Sequence, residues 1–323
     1  MEPRQPDDLH TASHKSSPVS LGQAMFIIVI TLFALLTLVA FSPAPEIENQ
    51  SAAAAAALEV FSGVAIEAKS AIVIDIPSGK VLYEKNADVQ LPIASLTKVM
   101  LALAVAEALP ADSLITIPYY ASGAGSNAHL LKGQQWRISD VVDFTLVESS
   151  NNGADILADA ANDAVHSLYP ESPKEKATLW RMNALARTLN LSQTYFLNVN
   201  GLDLSTTQAG AYGSARDMAS LFAYAASAQP SLFAGTSQDG VLLTTPDGAQ
   251  ASASNTNEAQ GAIPGLMLGK TGFTDLAGGN LGVVFDVGLS HPMVAIVLGS
   301  SSQGRFKDIQ ELVRRAGQSL KTE

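Results

Sequence analysis

Residues 71–100 read AIVIDIPSGKVLYEKNADVQLPIASLTKVM. Ser70–Asp75 and Val81–Glu84 are short runs rich in apolar and β-branched residues. Pro77-Ser78-Gly79 between them supplies turn chemistry, so the pair predicts a β-hairpin. Ser95–Ala108 (SLTKVMLALAVAEA) is apolar almost all round, which predicts a helix buried on nearly every side. Lys98 projects from that helix, and a charge there carries a desolvation cost that needs a reason.

Working outward, Ser139–Val147 and Gly153–Ala161 read as two further helices. Ser172-Pro173-Lys174-Glu175 has the pattern of a capping box with Pro at the first helical position, opening a helix through Arg187. Ser214 is placed to cap a helix over Ala215–Ala226. The last third returns to strands, at Gly240–Thr244, Met267–Thr271, Asn280–Val287 and Pro292–Gly299, before an amphipathic helix from Lys307 to about Leu320. This order predicts an α+β fold. The early hairpin and late strands share one antiparallel sheet flanked by helices, the middle block forms a helical lobe, and a site lies in the cleft between them.

Upstream, residues 16–45 carry no charge, and within them Ala24–Phe41 reads AMFIIVITLFALLTLVAF. At 1.5 Å per residue these residues span about 27 Å, close to a hydrocarbon core, so 24–41 reads as one transmembrane helix. Arg4 and Lys15 precede it and no cation follows until Lys69, while Glu46, Glu48 and Glu59 do. The expected arrangement is a cytoplasmic tail at 1–23, an uncleaved anchor in the lipid bilayer at 24–41, a linker at 42–62 containing Ala52–Ala57, and an extracytoplasmic domain at 63–323.

Composition narrows the chemistry. The 323 residues are 47% apolar, and 19 Lys+Arg against 30 Asp+Glu give a net charge of −11. An acidic chain without a basic cluster argues against nucleic acid as a partner. The absence of Cys excludes a disulfide framework, a Cys zinc site and a thiol nucleophile. Five scattered His with no HExxH pattern argue against a zinc hydrolase, and nothing in the sequence requires a metal or organic cofactor.

Three short motifs carry the chemistry. Ser95-Leu-Thr-Lys98 opens the buried helix, and a spacing of three puts Ser95 and Lys98 on one face. Ser149-Ser150-Asn151 breaks two helices, and Lys270-Thr271-Gly272 ends an apolar strand. Each alone is weak: a plain N-cap, a polar interhelical turn, a strand leading into a turn. In this order they are jointly specific.

The set resembles the penicillin-binding and serine β-lactamase superfamily, and most closely its low-molecular-weight D-alanyl-D-alanine carboxypeptidases. The likeness extends through the stretch quoted above, MNALARTLNLSQTYFLNVNGL, SARDMASL, Asn255-Thr256-Asn257 and KTGFTDLAGGNL, covering about Ile66 to Phe306. It implies that Ser95 is the nucleophile on peptidoglycan stem peptides, expelling the terminal D-Ala through an acyl-enzyme, with β-lactams as covalent inhibitors. No His sits at a motif position, so Lys98 is the expected base. Burial and the nearby Lys270 cation would hold it neutral, a shift of about three units or about 4 kcal/mol. By the same resemblance Ser149 relays a proton, Asn151 orients Lys98 and holds the substrate amide, and Lys270 and Thr271 meet the substrate carboxylate. Gly272 lets the strand pass close, the amides of Ser95 and Phe273 form the oxyanion hole, and Arg305 stands where the family has a basic residue near the pocket. Phe273 departs from the family, many of whose members carry His there. A D,D-endopeptidase uses the same residues; a β-lactamase, or a silent wall-binding scaffold on the same fold, are further alternatives.

Overall fold

Ser70 to Asp75 alternate cleanly between two cores, and that alternation organises the molecule. Ala71 and Val73 face one cluster with Leu281, Val283, Ala295 and Val297. Ile72 faces the other with Val284, Ile296 and Leu298. Both faces of a sheet are therefore covered, as the period of two in the sequence requires. The computed structural model describes residues 60–118, 133–288 and 290–320. The expected tail and membrane anchor, and most of the linker, lie outside the described residues. Among the described residues no helix is long and apolar enough to cross a membrane.

The main sheet has five strands. β1 (Ser70–Asp75) and β2 (Val81–Lys85) form the hairpin. β3 (Leu91–Pro92), β4 (Leu114–Thr116), β5 (Gln135–Arg137), β6 (Tyr195–Phe196) and β7 (Ala211–Gly213) make two small sheets, and β8 (Gly240–Thr244) with β9 (Gln250–Ser254) a ribbon. β10 (Leu266–Thr274), β11 (Gly278–Asp286) and β12 (Pro292–Ser300) complete the main sheet in the order β10-β11-β12-β1-β2. Its pairings are antiparallel, with Ile72 opposite Ile296 and Lys270 opposite Gly282. β10 is an edge strand, so one side of its backbone is free to meet something else.

Helices flank this sheet and build a lobe beside it. α1 (Thr97–Ala108), α2 (Ile138–Val147), α3 (Asn151–Leu168) and α4 (Ala177–Thr188) form the lobe. α5 (Ala215–Ala228) covers one sheet face and α6 (Gly304–Ser319) the other. α1 is buried along its length from Thr97 to Val105, as its all-round apolarity foretells. α6 is fastened by Asp308, which accepts from the amides of Glu67 (3.0 Å) and Ala68 (2.9 Å) and from Ser300 Oγ (2.7 Å).

Three local expectations need correction. Ser95 is not in the α-helix: Ala94–Leu96 is a separate 3-10 turn, and α1 starts at Thr97. The capping box at Ser172 does not form. Its hydroxyl instead donates to Tyr169 O at 2.7 Å, Lys174–Lys176 makes a 3-10 turn, and Asn162 Oδ1 from α3 accepts from Thr178 N as α4 begins at Ala177. A tertiary cap has replaced the local one. Lastly, Phe61 falls in the expected linker but is buried, stacked on Tyr83 with ring centroids 5.5 Å apart, so packed structure begins before residue 63. Ser214 does cap α5, accepting from Asp217 N at 3.1 Å.

Candidate active site

The nucleophile candidate sits on a strained turn. Ala94 has φ of 47°, in the left-handed region that a side chain disfavours. Thr97 Oγ1 holds that turn by donating to Ala94 O at 2.7 Å, and Asn280 Nδ2 donates to Pro92 O at 3.0 Å from the sheet. Gly201, with φ of +83°, lies so close beneath that a Cβ there would come 2.0 Å from Ala94 O. The turn is thus wedged between both lobes, and Ser95 emerges half-buried from it.

Lys98 projects from the first turn of α1 with no solvent exposure. Its Nζ lies 2.7 Å from Ser95 Oγ, 2.8 Å from Asn151 Oδ1 and 2.8 Å from the backbone O of Asn200. Asn151 is delivered by α3, whose N-cap Ser150 accepts from Gly153 N at 3.0 Å. The residue before the cap, Ser149, has φ of 60°, a second left-handed position beside the same pocket. Lys270 reaches in from β10 and donates to Ser149 Oγ at 2.7 Å and to Thr271 O at 2.9 Å. Ser95, Lys98, Ser149, Asn151 and Lys270, spread over 176 positions from 95 to 270, form two neighbouring hydrogen-bonded groups, Lys98 with Ser95 and Asn151, and Lys270 with Ser149, coupled through the charges of the two lysines.

The strand's approach explains Gly272. A Cβ there would stand 3.0 Å from Ile93 O and 3.1 Å from Ser95 N. The edge of β10 therefore abuts the amide of Ser95 itself. Phe273, next along, is half exposed, with 50% of its surface accessible. Arg305, at the start of α6, donates from Nη1 to Gly272 O at 2.8 Å, and Thr271 Oγ1 is 2.6 Å from Thr256 Oγ1.

Electrostatics sharpen the roles of the two lysines. Burial pulls Lys98 down from its ordinary value to about 7, with Asp155 opposing the shift. Lys270 is held well below its ordinary value by burial first, then by Lys98 and Arg305. Burial is the first cause for both lysines, and a charge on either one opposes a proton on the other. The geometry suits a neutral Lys98: an amine donating to Asn151 Oδ1 and Asn200 O turns its lone pair toward the Ser95 hydroxyl.

Asn200, Gly201 and Thr256 are participants that residue-type reasoning passed over. Asn200 acts through its backbone carbonyl, which has no side-chain signature, although NVNGL and Asn255-Thr256-Asn257 both lie in the recognised stretches.

The chain is similar to known proteins. The D-alanyl-D-alanine carboxypeptidase DacF of Bacillus subtilis is 32% identical over 66% of this chain and 52% of its own length. The D-alanyl-D-alanine endopeptidase of Escherichia coli is 29% identical over 77% of this chain and 76% of its own. Penicillin-binding protein D2 from Listeria monocytogenes, solved in its ampicillin-bound form, superposes with a TM-score of 0.66 at 30% identity. That likeness covers 78% of this chain and 98% of that one, so the fold is that of a penicillin-binding protein. The match to DacF spans about half of that relative's length. A profile of the serine peptidases described as D-alanyl-D-alanine carboxypeptidase matches residues 52–302, more than three quarters of the chain, and the chain belongs to that family.

Proposed function

We propose that this chain is a serine D-Ala-D-Ala carboxypeptidase that removes the terminal D-Ala from peptidoglycan stem peptides. The observation that carries the reading is the 2.7 Å contact between Lys98 Nζ and Ser95 Oγ, in a pocket shared with Ser149, Asn151 and Lys270. Ser95 Oγ attacks the carbonyl of the penultimate D-Ala while Lys98, neutral, takes its proton. The negative charge that develops on the carbonyl oxygen falls between the amides of Ser95 and Phe273, a reading supported by the close passage of Gly272 beside Ser95 N. The scissile C–N bond breaks, the proton passes through Ser149 to the departing amine, and free D-Ala leaves an ester on Ser95. Water then attacks the ester carbonyl while its proton goes to the base, the bond to Ser95 Oγ breaks, and the base returns the proton to Ser95 as the shortened peptide leaves. Lys270 and Thr271 receive the substrate's terminal carboxylate. Arg305 contributes positive potential behind Gly272.

A β-lactam carries a carboxylate beside a strained amide and enters by the same route, which makes such antibiotics covalent inhibitors. Residues 24–41 anchor the chain in the lipid bilayer as a single pass, with the N-terminus cytoplasmic and the catalytic domain outside. The uncharged apolar run and its flanking charges support that placement.

The test is direct. Labelled penicillin should form a covalent adduct on the wild type and none on Ser95→Ala, and D-Ala should be released from a pentapeptide stem only by the wild type. Labelling of Ser95→Ala, or none on the wild type, removes the assignment. A second reading, D,D-endopeptidase on cross-links, is favoured by the Escherichia coli relative named as one. Products from cross-linked and uncross-linked muropeptides separate the two.

A further inference from the structure

One carboxylate stands against this pocket without a part in the reaction above. Asp155 lies on α3 one turn beyond Asn151, and a spacing of four puts both side chains on the same helix face. Asp155 Oδ1 accepts from Asn200 Nδ2 at 2.9 Å. Asn200 is almost fully buried, and its Oδ1 is occupied by Leu202 N at 2.9 Å. Its backbone carbonyl is the acceptor that holds Lys98 Nζ at 2.8 Å. Asp155 therefore grips the residue whose carbonyl grips the base.

The carboxylate also contributes charge. Asp155 opposes the burial of Lys98, as an anion beside an amine must. The other charged groups around the pair are known. Lys270 approaches from β10, Arg305 from α6 faces Lys270, and Asp159 on the next turn of α3 faces Asp155. Asp155 keeps an exposed outer side, although its inner side is hemmed by protein, and partial burial holds its own carboxyl above the usual range while Asn200 and Lys98 pull it down.

We propose that Asp155 is a positioning residue for Lys98, fixing the Asn200 carbonyl and setting the electrostatic field in which the amine takes the Ser95 proton. The inference rests on the proposed acylation of Ser95 and adds to it. A base works best when its affinity for a proton matches the working pH. Burial lowers the basicity of Lys98, and Asp155 restores part of it from outside the reacting atoms.

The two contributions come apart in two variants of the full chain. Asp155→Asn keeps an acceptor oxygen for Asn200 Nδ2 and removes the charge. Asp155→Ala removes both. The second-order rate of acylation by fluorescent penicillin is measured from pH 5 to 9, with melting of each variant as a folding check. For Asp155→Asn the acid limb should move to lower pH by about one unit. The plateau should fall by roughly threefold, since a weaker base transfers the proton less readily. Asp155→Ala should show the same displaced limb with a further loss of about tenfold in the plateau, from a loosened carbonyl. A purely structural role would lower the plateau and leave the limb where it is. If the wild type labels at Ser95 but the Asp155→Asn limb coincides with its own, the inference is overturned and the proposed function stands. If Asp155→Ala does not fold, Asp155→Asn alone decides. If the wild type does not label at all, both fall together.

Discussion

Replacing Lys98 by Met, which keeps most of the volume and discards the charge, should abolish acylation and stabilise the fold at neutral pH. Lys98 is fully buried, and its value falls from 10.5 to about 7. A depression of that size corresponds to on the order of 5 kcal/mol of penalty for holding the charged form inside. The sign follows from proton binding. Between pH 7 and 10.5 the unfolded chain holds a proton on this amine and the folded chain does not, so wild-type stability rises with pH across that window. Below about 7 the full penalty is present. Met removes it but leaves Ser95 Oγ, Asn151 Oδ1 and Asn200 O without their hydrogen-bond partner. At about 1 kcal/mol for each lost bond, that offsets roughly 3 kcal/mol. The variant should therefore be more stable than wild type by about 2 kcal/mol at pH 6 and less stable by roughly 3 kcal/mol near pH 10.5, with a crossing between. Urea unfolding at closely spaced pH values reads this directly. A difference that does not change between pH 6 and 10.5 would refute the idea that Lys98 is held against its charge.

Three further outcomes follow from the site and its frame. Gly272→Ala should slow labelling of Ser95 by tenfold or more with little change in melting, because a Cβ at 3.0 Å from Ile93 O pushes the strand off the Ser95 amide; labelling at the wild-type rate would mean the close approach is idle. Acylation of the wild type should be lost as pH falls through about 7, since the neutral amine of Lys98 is the reactive form; stopped-flow labelling with an acid limb near 4 would point to a carboxylate base instead. Asp308→Ala should cost about 3–5 kcal/mol in urea unfolding, as three donors, two of them backbone amides, lose a buried acceptor; a loss below about 1 kcal/mol would mean α6 is held by its apolar face alone.

The sheet was legible because its strands are short, nearly continuous runs of apolar and β-branched residues, as buried strands covered on both faces require. Ile72 and Val73 divide between two cores, and β11 and β12 are nearly continuous apolar segments. α1 was legible for the opposite reason, having no polar face to misread. The parts that escaped are made by tertiary contact. β3, β6 and β7 are two or three residues long and exist through their partners, below the length at which a pattern forms. β9 is QASAS, with no β-branched residue to announce it, and is held by pairing with β8. α3 runs on to Leu168, past the expected end at Ala161, although Asn162 and Asp163 are poor helix formers, because Val165 is buried in the core. At the site, Ser95, Lys98, Ser149, Asn151 and Lys270 announced themselves by type and order. The left-handed Ala94 and the carbonyl of Asn200 did not. Backbone strain and backbone acceptors leave no mark in side-chain chemistry.

The two lysines also carry a consequence for how such a pocket is switched on. Burial, then Lys98 and Arg305, hold Lys270 well below its ordinary value, while Lys98, also lowered by burial, has Asp155 on its side. On the proposed reading, a substrate arriving with a carboxylate at Lys270 and Thr271 reverses that balance. The anion stabilises an ammonium on Lys270, and a charged Lys270 opposes a proton on Lys98, which then gives it up and becomes the base. The group that marks a peptide's free end would thus create the reactive form of the enzyme as well as orient the peptide. An ester or amide in its place would lose the contact and leave Lys98 protonated over more of the neutral range. On that reading a preference for a terminal carboxylate and the presence of two buried amines have one physical origin: the ligand's negative charge settles a proton on Lys270 and thereby keeps one off Lys98.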